Sequence, residues 1–210
     1  MDEVPIARIP APVLPVEARR AIREAPNGTR RVAFIGHILL PEHVAQWDPG
    51  LARFPAADAA QLLTRTSRFV GPTIFSQFNV RSATGKEVHL TFIGLNLSAA
   101  QILEHRRSGE FRWIMDQIEE AVTMARDLGC NAVGLGGYTS IVSANCMRVR
   151  TTGIGLTSGN ALTVGMAVRG TAAVARDRGI DLRAASLGLV GAGGNTASTC
   201  AMLLAPEVEE

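Results

Sequence analysis

Apolar positions recur along the chain in two rhythms, and the alternation of those rhythms predicts the order of elements. Arg31-Val-Ala-Phe-Ile-Gly36 is a short apolar run closed by glycine, the pattern of a buried strand. Residues 41–47 and 56–65 read as short helices, the first with Pro41 in its opening turn. Residues 70–80 and 87–93 are β-rich runs separated by Ser82-Ala-Thr-Gly85, which predicts a hairpin with Gly85 in its turn. Residues 98–107 and 109–128 take the helical rhythm. In the second, Ile114, Ile118, Ala121, Val122, Ala125 and Leu128 form one apolar face that Gly129 ends. Residues 131–135 then form another buried strand. A helix is expected from Thr157-Ser-Gly-Asn160 to about Arg178, with polar residues capping its start and Gly179 closing it. Residues 184–190 read as a further strand.

Strands alternating with helices imply an α/β protein: a largely parallel sheet with helical crossovers and a β-hairpin, followed by the first strand-turn-helix of a Rossmann-like domain. The division expected is a proline-rich arm at 1–30, a substrate-binding α/β domain at 31–156, a connecting helix at 157–180 and an incomplete cofactor unit at 181–210. The arm carries Pro5, Pro10, Pro12, Pro15 and Pro26, each lacking an amide donor, with one short helix expected at 16–24.

Composition adds exclusions. Net charge is +2, and the 21 basic and 19 acidic residues are spread without aromatic interleaving, which argues against nucleic acid as partner. Three cysteines at wide spacing suggest neither a disulfide framework nor a zinc site, so a reducing cytoplasm is expected. No apolar run reaches the roughly 18 residues of a membrane span.

Three segments carry candidate chemistry. Gly191-Ala-Gly-Gly-Asn-Thr-Ala197 precedes a helix, and its small residues allow a backbone turn to approach a pyrophosphate at the helix N-terminus. A tight strand-to-helix turn without ligand fits the same residues. The second segment is Gly136-Gly-Tyr-Thr-Ser-Ile141. Tyr138, Thr139 and Ser140 would suit a pocket wall that hydrogen-bonds a carbonyl, or a plain connection with polar surface. The third, Thr157–Asn160, is open in the same way: it could line a site or be only a helix cap. Of the histidines, His37 and His89 stand out, because His43 and His105 lie on charge-rich helices. No metal-ligand spacing occurs, and Cys130, Cys146 and Cys200 fit small apolar packing roles.

Taken together, several segments resemble the aldehyde-forming long-chain acyl-(acyl-carrier-protein) reductases of cyanobacteria and their bacterial relatives. They are Ile35-Gly-His37, Ser82-Ala-Thr-Gly-Lys86 with His89, Leu135-Gly-Gly-Tyr-Thr-Ser-Ile141, Thr157-Ser-Gly-Asn160, and Val190-Gly-Ala-Gly-Gly194 with Ala197. The resemblance spans about Val32 to Leu204. Tyr138 replaces the usual Phe, Ser158 the usual Thr, and Gly193-Gly-Asn195 the usual Thr-Gly-Asp. It implies an acyl-binding domain followed by an NADPH domain, with a long-chain acyl thioester on acyl-carrier protein or coenzyme A reduced to an aldehyde.

On that resemblance the substrate would meet His37, Lys86, His89, Gly136, Gly137, Tyr138, Thr139 and Ser140. NADPH would meet Thr157, Asn160, Gly191, Gly193, Gly194, Asn195, Thr196 and Ala197. Members hold the acyl group on a cysteine that none of the three here matches, so no catalytic residue is assigned. The expectation is the N-terminal part of such a reductase, not competent alone and completed by a downstream chain or an oligomer. The alternative is a non-catalytic module that binds an acyl chain or a partner.

Overall fold

The computed structural model describes residues 30–46, 49–151 and 153–209. The arm and its helix at 16–24 lie outside them, as does Trp47. The chain divides into two units, Met1–Ser158 and Gly159–Glu210.

The first unit is built on a five-stranded sheet of order β2-β3-β1-β4-β5. Its strands are β1 (Arg30–Ile38), β2 (Thr73–Arg81), β3 (Glu87–Ser98), β4 (Ala132–Leu135) and β5 (Gly155–Thr157). β1 pairs in parallel with both β3 and β4, β4 pairs in parallel with β5, and β2 is antiparallel to β3 across the expected hairpin. Gly85 sits in that turn with φ +80°, a conformation open to a residue without Cβ. The sheet is therefore mostly parallel, with α-helices α1 (Ala56–Thr66), α2 (Ala99–Ser108), α3 (Phe111–Asp127) and α4 (Tyr138–Val142) between strands. This is the α/β class the alternation of rhythms predicts.

Period two sorts the strand residues onto two faces. On one face, Ala33, Ile35, Ile93, Leu95, Leu97, Val133 and Leu135 pack on Ile114, Ile118, Ala121, Val122 and Ala125 of α3. All of α3's predicted apolar stripe is thus accounted for, with Leu128 half-buried at its end. Ser98 caps α2 through a reciprocal pair: Gln101 N–H donates to the Ser98 hydroxyl at 3.3 Å and Ser98 N–H donates to Gln101 Oε1 at 2.9 Å. Such a box typically stabilises a helix start by about 1 kcal/mol.

The opposite face follows a different rule. Register aligns Gly94 with Gly36 across β3 and β1, and Gly136 follows the Ile35–Leu135 pair at the end of β4. Three phenylalanine rings lean over this glycine row. An added Cβ would fall 1.4 Å from Phe75 at Gly94, 2.9 Å from Phe92 at Gly36 and 2.1 Å from Phe34 at Gly136. The rings also touch each other, with centroids 5.6 Å apart for Phe34 and Phe92 and 5.3 Å, edge on, for Phe75 and Phe92. Among the described residues, α1 covers the carboxyl end of this face, through a small cluster of Ile38, Val44, Ala59 and Leu63.

The second unit holds α5 (Asn160–Asp177) and α6 (Asn195–Leu204), packed through Val164, Cys200 and Leu204 with Val168 and Leu187. Three sequence expectations are corrected here and nearby. Residues 184–190 are not a strand: a short 3-10 turn at Leu182–Ala184 leads into irregular chain. No strand among the described residues of this unit offers a hydrogen-bonding neighbour, and Val190 is 99% exposed. α5 is capped by Gly159 at φ +73°, without a side-chain hydrogen bond, and not by a polar side chain. The run after Gly137, expected as a pocket wall or a plain connection, forms the short helix α4.

The ring-over-glycine packing predicts that Gly94→Ala lowers the urea midpoint of unfolding by the equivalent of about 1–3 kcal/mol, the usual cost of overpacking. Adding Phe75→Ala should recover part of that loss. Simple additivity of the two changes would contradict the packing described.

Candidate functional site

β1 and β4 end side by side, and their parallel register carries the chain into the feature that organises this site. Ile35 accepts a hydrogen bond from Gly136 N–H at 2.9 Å, so the sheet continues one residue past β4. Gly137 then turns the chain with φ +57° and ψ −135°, a region closed to side chains at ordinary cost. An added Cβ there would also lie 2.7 Å from His37 Nε2.

His37 occupies that space. Its Nδ1 lies 3.0 Å from the Ile38 carbonyl, which can only accept, so Nδ1 carries the proton. Its Nε2 is then a lone-pair acceptor and takes the Tyr138 N–H at 3.1 Å. Both contacts thus fix one neutral tautomer. Burial pushes the His37 pKa down, opposed in part by the bond to Ile38, and an imidazolium could not accept the Tyr138 amide. The rings of His37 and Tyr138 lie 5.6 Å apart and are tilted by 31°.

The hydroxyls beside it do less than the sequence suggests. Thr139, fully buried, donates to the Gly136 carbonyl at 2.7 Å, and Ser140 donates to the Gly137 carbonyl at 2.8 Å. Each spends its one proton on holding the turn. The Tyr138 phenol bonds to neither carbonyl.

Lys86 and His89 stand elsewhere. β3 runs parallel to β1, and His89 pairs with Arg31, six residues before His37. At about 3.3 Å per residue that places them roughly 20 Å away, at the amino edge of the sheet. Lys86 closes the hairpin, its N–H donating to Ser82 Oγ at 3.1 Å. His89 Nδ1 donates to Asn79 Oδ1 at 2.9 Å, while burial and the Arg31 charge lower its pKa. The eight substrate residues named from sequence therefore form one cluster, His37 with Gly136–Ser140, and a separate pair.

Directly after the cluster, Ala144, Asn145 and Cys146 take φ of 51°, 56° and 75°. Three consecutive left-handed residues with side chains are unusual. Asn145 N–H to the Ser140 carbonyl at 2.7 Å and Cys146 N–H to Ser143 Oγ at 3.2 Å hold them. Burial pushes the thiols of Cys130 and Cys146 up, which disfavours the thiolate a nucleophile needs.

Of the cofactor residues, Thr157 ends β5 in the first unit and Asn160 opens α5 in the second. Gly191 holds φ +83°, its carbonyl accepts from Gly194 N–H at 2.9 Å, and α6 starts at Asn195 with no side-chain cap. No atom approaches within 4 Å of an added Cβ at Gly191 or Gly193. Open glycine backbone leading into the first amides of a ten-residue helix fits a pyrophosphate. Among the described residues of this unit nothing fits the ribose and nicotinamide ends.

The residues that sequence reading missed are Phe34, Phe75 and Phe92 with Gly36 and Gly94. Their signal was available as Phe-x-Gly in two strands, Phe34 with Gly36 and Phe92 with Gly94. Each pair falls on one strand face, which becomes informative only once register sets the pairs side by side.

Parallel strands, crossover helices and a fixed polar turn at the carboxyl edge define an α/β protein of Rossmann-like type, the edge where open sheets of this class take ligands. No protein-family profile matches the chain. It is a distant relative of the long-chain acyl-(acyl-carrier-protein) reductase of Synechococcus elongatus, 30% identical over 135 residues. The match covers 60% of this chain and 38% of that protein, so the chain spans well under half the length of its relative. Among the described residues no helix is long and apolar enough to cross a membrane.

The His37 geometry has a pH consequence. Its folded pKa lies below the ordinary 6.5, so the unfolded chain binds the proton more readily. The stabilisation is whole above about pH 6.5 and is lost as pH falls toward the folded value. Urea midpoints measured from about pH 8 to about pH 5 should therefore fall, and His37→Gln should flatten that fall. His89 shifts in the same direction, so some slope persists in His37→Gln; an unchanged slope would contradict the assignment.

Proposed function

We propose that this chain is the acyl-thioester-recognising part of an NADPH-dependent reductase that forms aldehydes from long-chain acyl groups on acyl-carrier protein or coenzyme A. The observation that carries this reading is the junction of His37 with Gly136–Ser140 at the carboxyl edge of β1 and β4. A backbone held open by Gly137 lets a flat thioester approach closely. The neutral imidazole keeps the turn rigid without placing a proton donor or a charge against the thioester carbon. The kinship with the cyanobacterial reductase supports the substrate class.

NADPH, when bound, supplies the hydride that reduces the acyl carbon. Gly191, Gly193, Gly194, Asn195, Thr196 and Ala197 would hold its pyrophosphate through backbone amides, with Thr157 and Asn160 assigned to it by the resemblance alone. Lys86, at the far edge, suits the acidic surface of a carrier protein better than the thioester, while His89, its pKa lowered by burial and by Arg31, adds no charge there. The thiols of Cys130 and Cys146, pushed up by burial, do not act as acyl acceptors in this reading.

A second reading, a non-catalytic module that binds a partner chain or completes an oligomer, is favoured by the second unit. There Leu162, Met166, Val190 and Met202 are each more than 60% exposed.

A fluorescent long-chain acyl-coenzyme A followed by anisotropy tests the first reading. The folded chain should bind it, and Gly137→Val, whose side chain enters the space of His37 Nε2, should weaken binding by roughly tenfold or more. The fold, read separately from far-ultraviolet circular dichroism, should survive that substitution. A folded chain that binds no acyl thioester would overturn the proposal.

A further inference from the structure

Strand register lines up three polar side chains at the amino edge of the sheet. Arg31 of β1 pairs with His89 of β3, which pairs in turn with Asn79 of β2. Period two puts Arg31 and His89 on the same face as Ala33 and Ile93, the face that α3 covers farther along. Neighbouring strands lie about 4.8 Å apart, so the three side chains form one row. The adjoining groups are already matched. Gln77 Nε2 donates to Thr91 Oγ1 at 3.0 Å, and the Cys130 thiol shares a hydrogen bond with Thr91. On the outer side Arg81 pairs with Glu87 at 3.7 Å.

Two groups in the row stay unmatched. His89 Nδ1 donates to Asn79 Oδ1 at 2.9 Å, which leaves Nε2 as a lone-pair acceptor, buried and with no hydrogen-bond partner among the described residues. Arg31 is half-buried, and among the described residues no carboxylate forms an ion pair with it. Buried polar atoms and enclosed charges are ordinarily paired, so an open acceptor beside an open cation points to a group that complements both. Such a group carries negative oxygens for the guanidinium and one hydroxyl for the imidazole. A carboxylate lacks the hydroxyl, and a sulfate ion has lost its own at neutral pH. A phosphate monoester, whose second proton leaves at about pH 6, carries both. The Cys130 thiol, its pKa pushed up by burial, brings no negative charge to compete.

We propose that Arg31 and His89 hold a phosphate monoester or free phosphate at the amino edge of the sheet, its anionic oxygens on the guanidinium and its hydroxyl donating to His89 Nε2. Burial and the Arg31 charge both keep His89 in the neutral, accepting form that this arrangement needs. The ion must arrive with one proton, so its binding weakens as that proton is lost to solvent at higher pH. The site lies at the opposite edge of the sheet from the turn at Gly137, and the inference does not rest on the acyl-thioester reading.

Nitrogen-15 spectra of the histidine rings of the full-length chain test it, with the His89 signals assigned by their loss in His89→Gln. Inorganic phosphate or glycerol 3-phosphate should shift the Nε2 resonance away from its lone-pair position, and whichever of the two binds more tightly distinguishes the free ion from the ester. Sulfate, which brings no proton, should bind at least severalfold more weakly, and chloride at the same ionic strength should have no effect. The phosphate dissociation constant should rise by up to about tenfold per unit as pH is raised above about 7, the limit for uptake of one proton. Arg31→Met should abolish the response. Arg31→Lys, which keeps the charge and loses the paired donors, should weaken it severalfold and serves if Arg31→Met does not fold. Equal responses to phosphate, sulfate and chloride would overturn the proposal, as would a phosphate response unchanged in both Arg31 variants.

Discussion

The placement of β1 between β3 and β4 is the constraint on which the rest of the first unit depends. Parallel pairing on both edges buries the backbone polar groups of the strand and leaves its side chains to serve two faces. The same pairing determines where β1 and β4 end. Ile35 opposite Leu135 puts Gly136 beside Gly36, and from there a single left-handed glycine delivers Tyr138 N–H to His37. Had the register slipped by one residue, every side chain on β4 would change face and the histidine would meet a side chain instead of an amide. The candidate site is thus a by-product of strand register and needs no dedicated loop.

Much of this architecture could be read in advance. The α3 stripe, the hairpin and the strands at 31–36 and 131–135 were legible because each has many residues obeying one period. β5 was not, because three residues carry no period, and Gly155–Thr157 is a strand only through its bonds to β4. The reverse error occurred at 184–190, where Leu187, Leu189 and Val190 have strand-like composition but no neighbour to pair with. Side-chain chemistry was legible in kind and not in placement. His37 and the glycine pair were found by type, whereas Lys86 and His89 were grouped with them although strand direction sets them at the other edge. Hydroxyls at 139 and 140 looked free to bind a ligand because a sequence does not show that their protons are already spent on Gly136 and Gly137.

The two faces of the sheet achieve burial by opposite means. Against α3 the strands present branched aliphatic residues that interlock with a helix, the ordinary solution. On the other side the glycine row removes Cβ atoms so that phenylalanine rings can lie across neighbouring strands, and aromatic contacts replace those with a helix. Glycine weakens a strand by itself, since it adds backbone entropy and offers nothing to pack. Here the rings above supply that packing, and the flat floor extends to the glycine turn that meets His37. The polar turn and the aromatic floor therefore share one edge.

The position of β1 also bears on how the chain is made. Its first partner, β3, leaves the ribosome some fifty residues later, and its second, β4, only after α2 and α3 have followed. Throughout that interval the central strand has one bonded edge and one bare edge, a state prone to pairing with other chains. α3 is synthesised immediately before β4 and carries the apolar stripe that covers β1 and β3. Helix formation is fast compared with strand pairing at long sequence separation. The order of elements therefore lets α3 shield the nascent core from one side before β4 arrives to close the open edge.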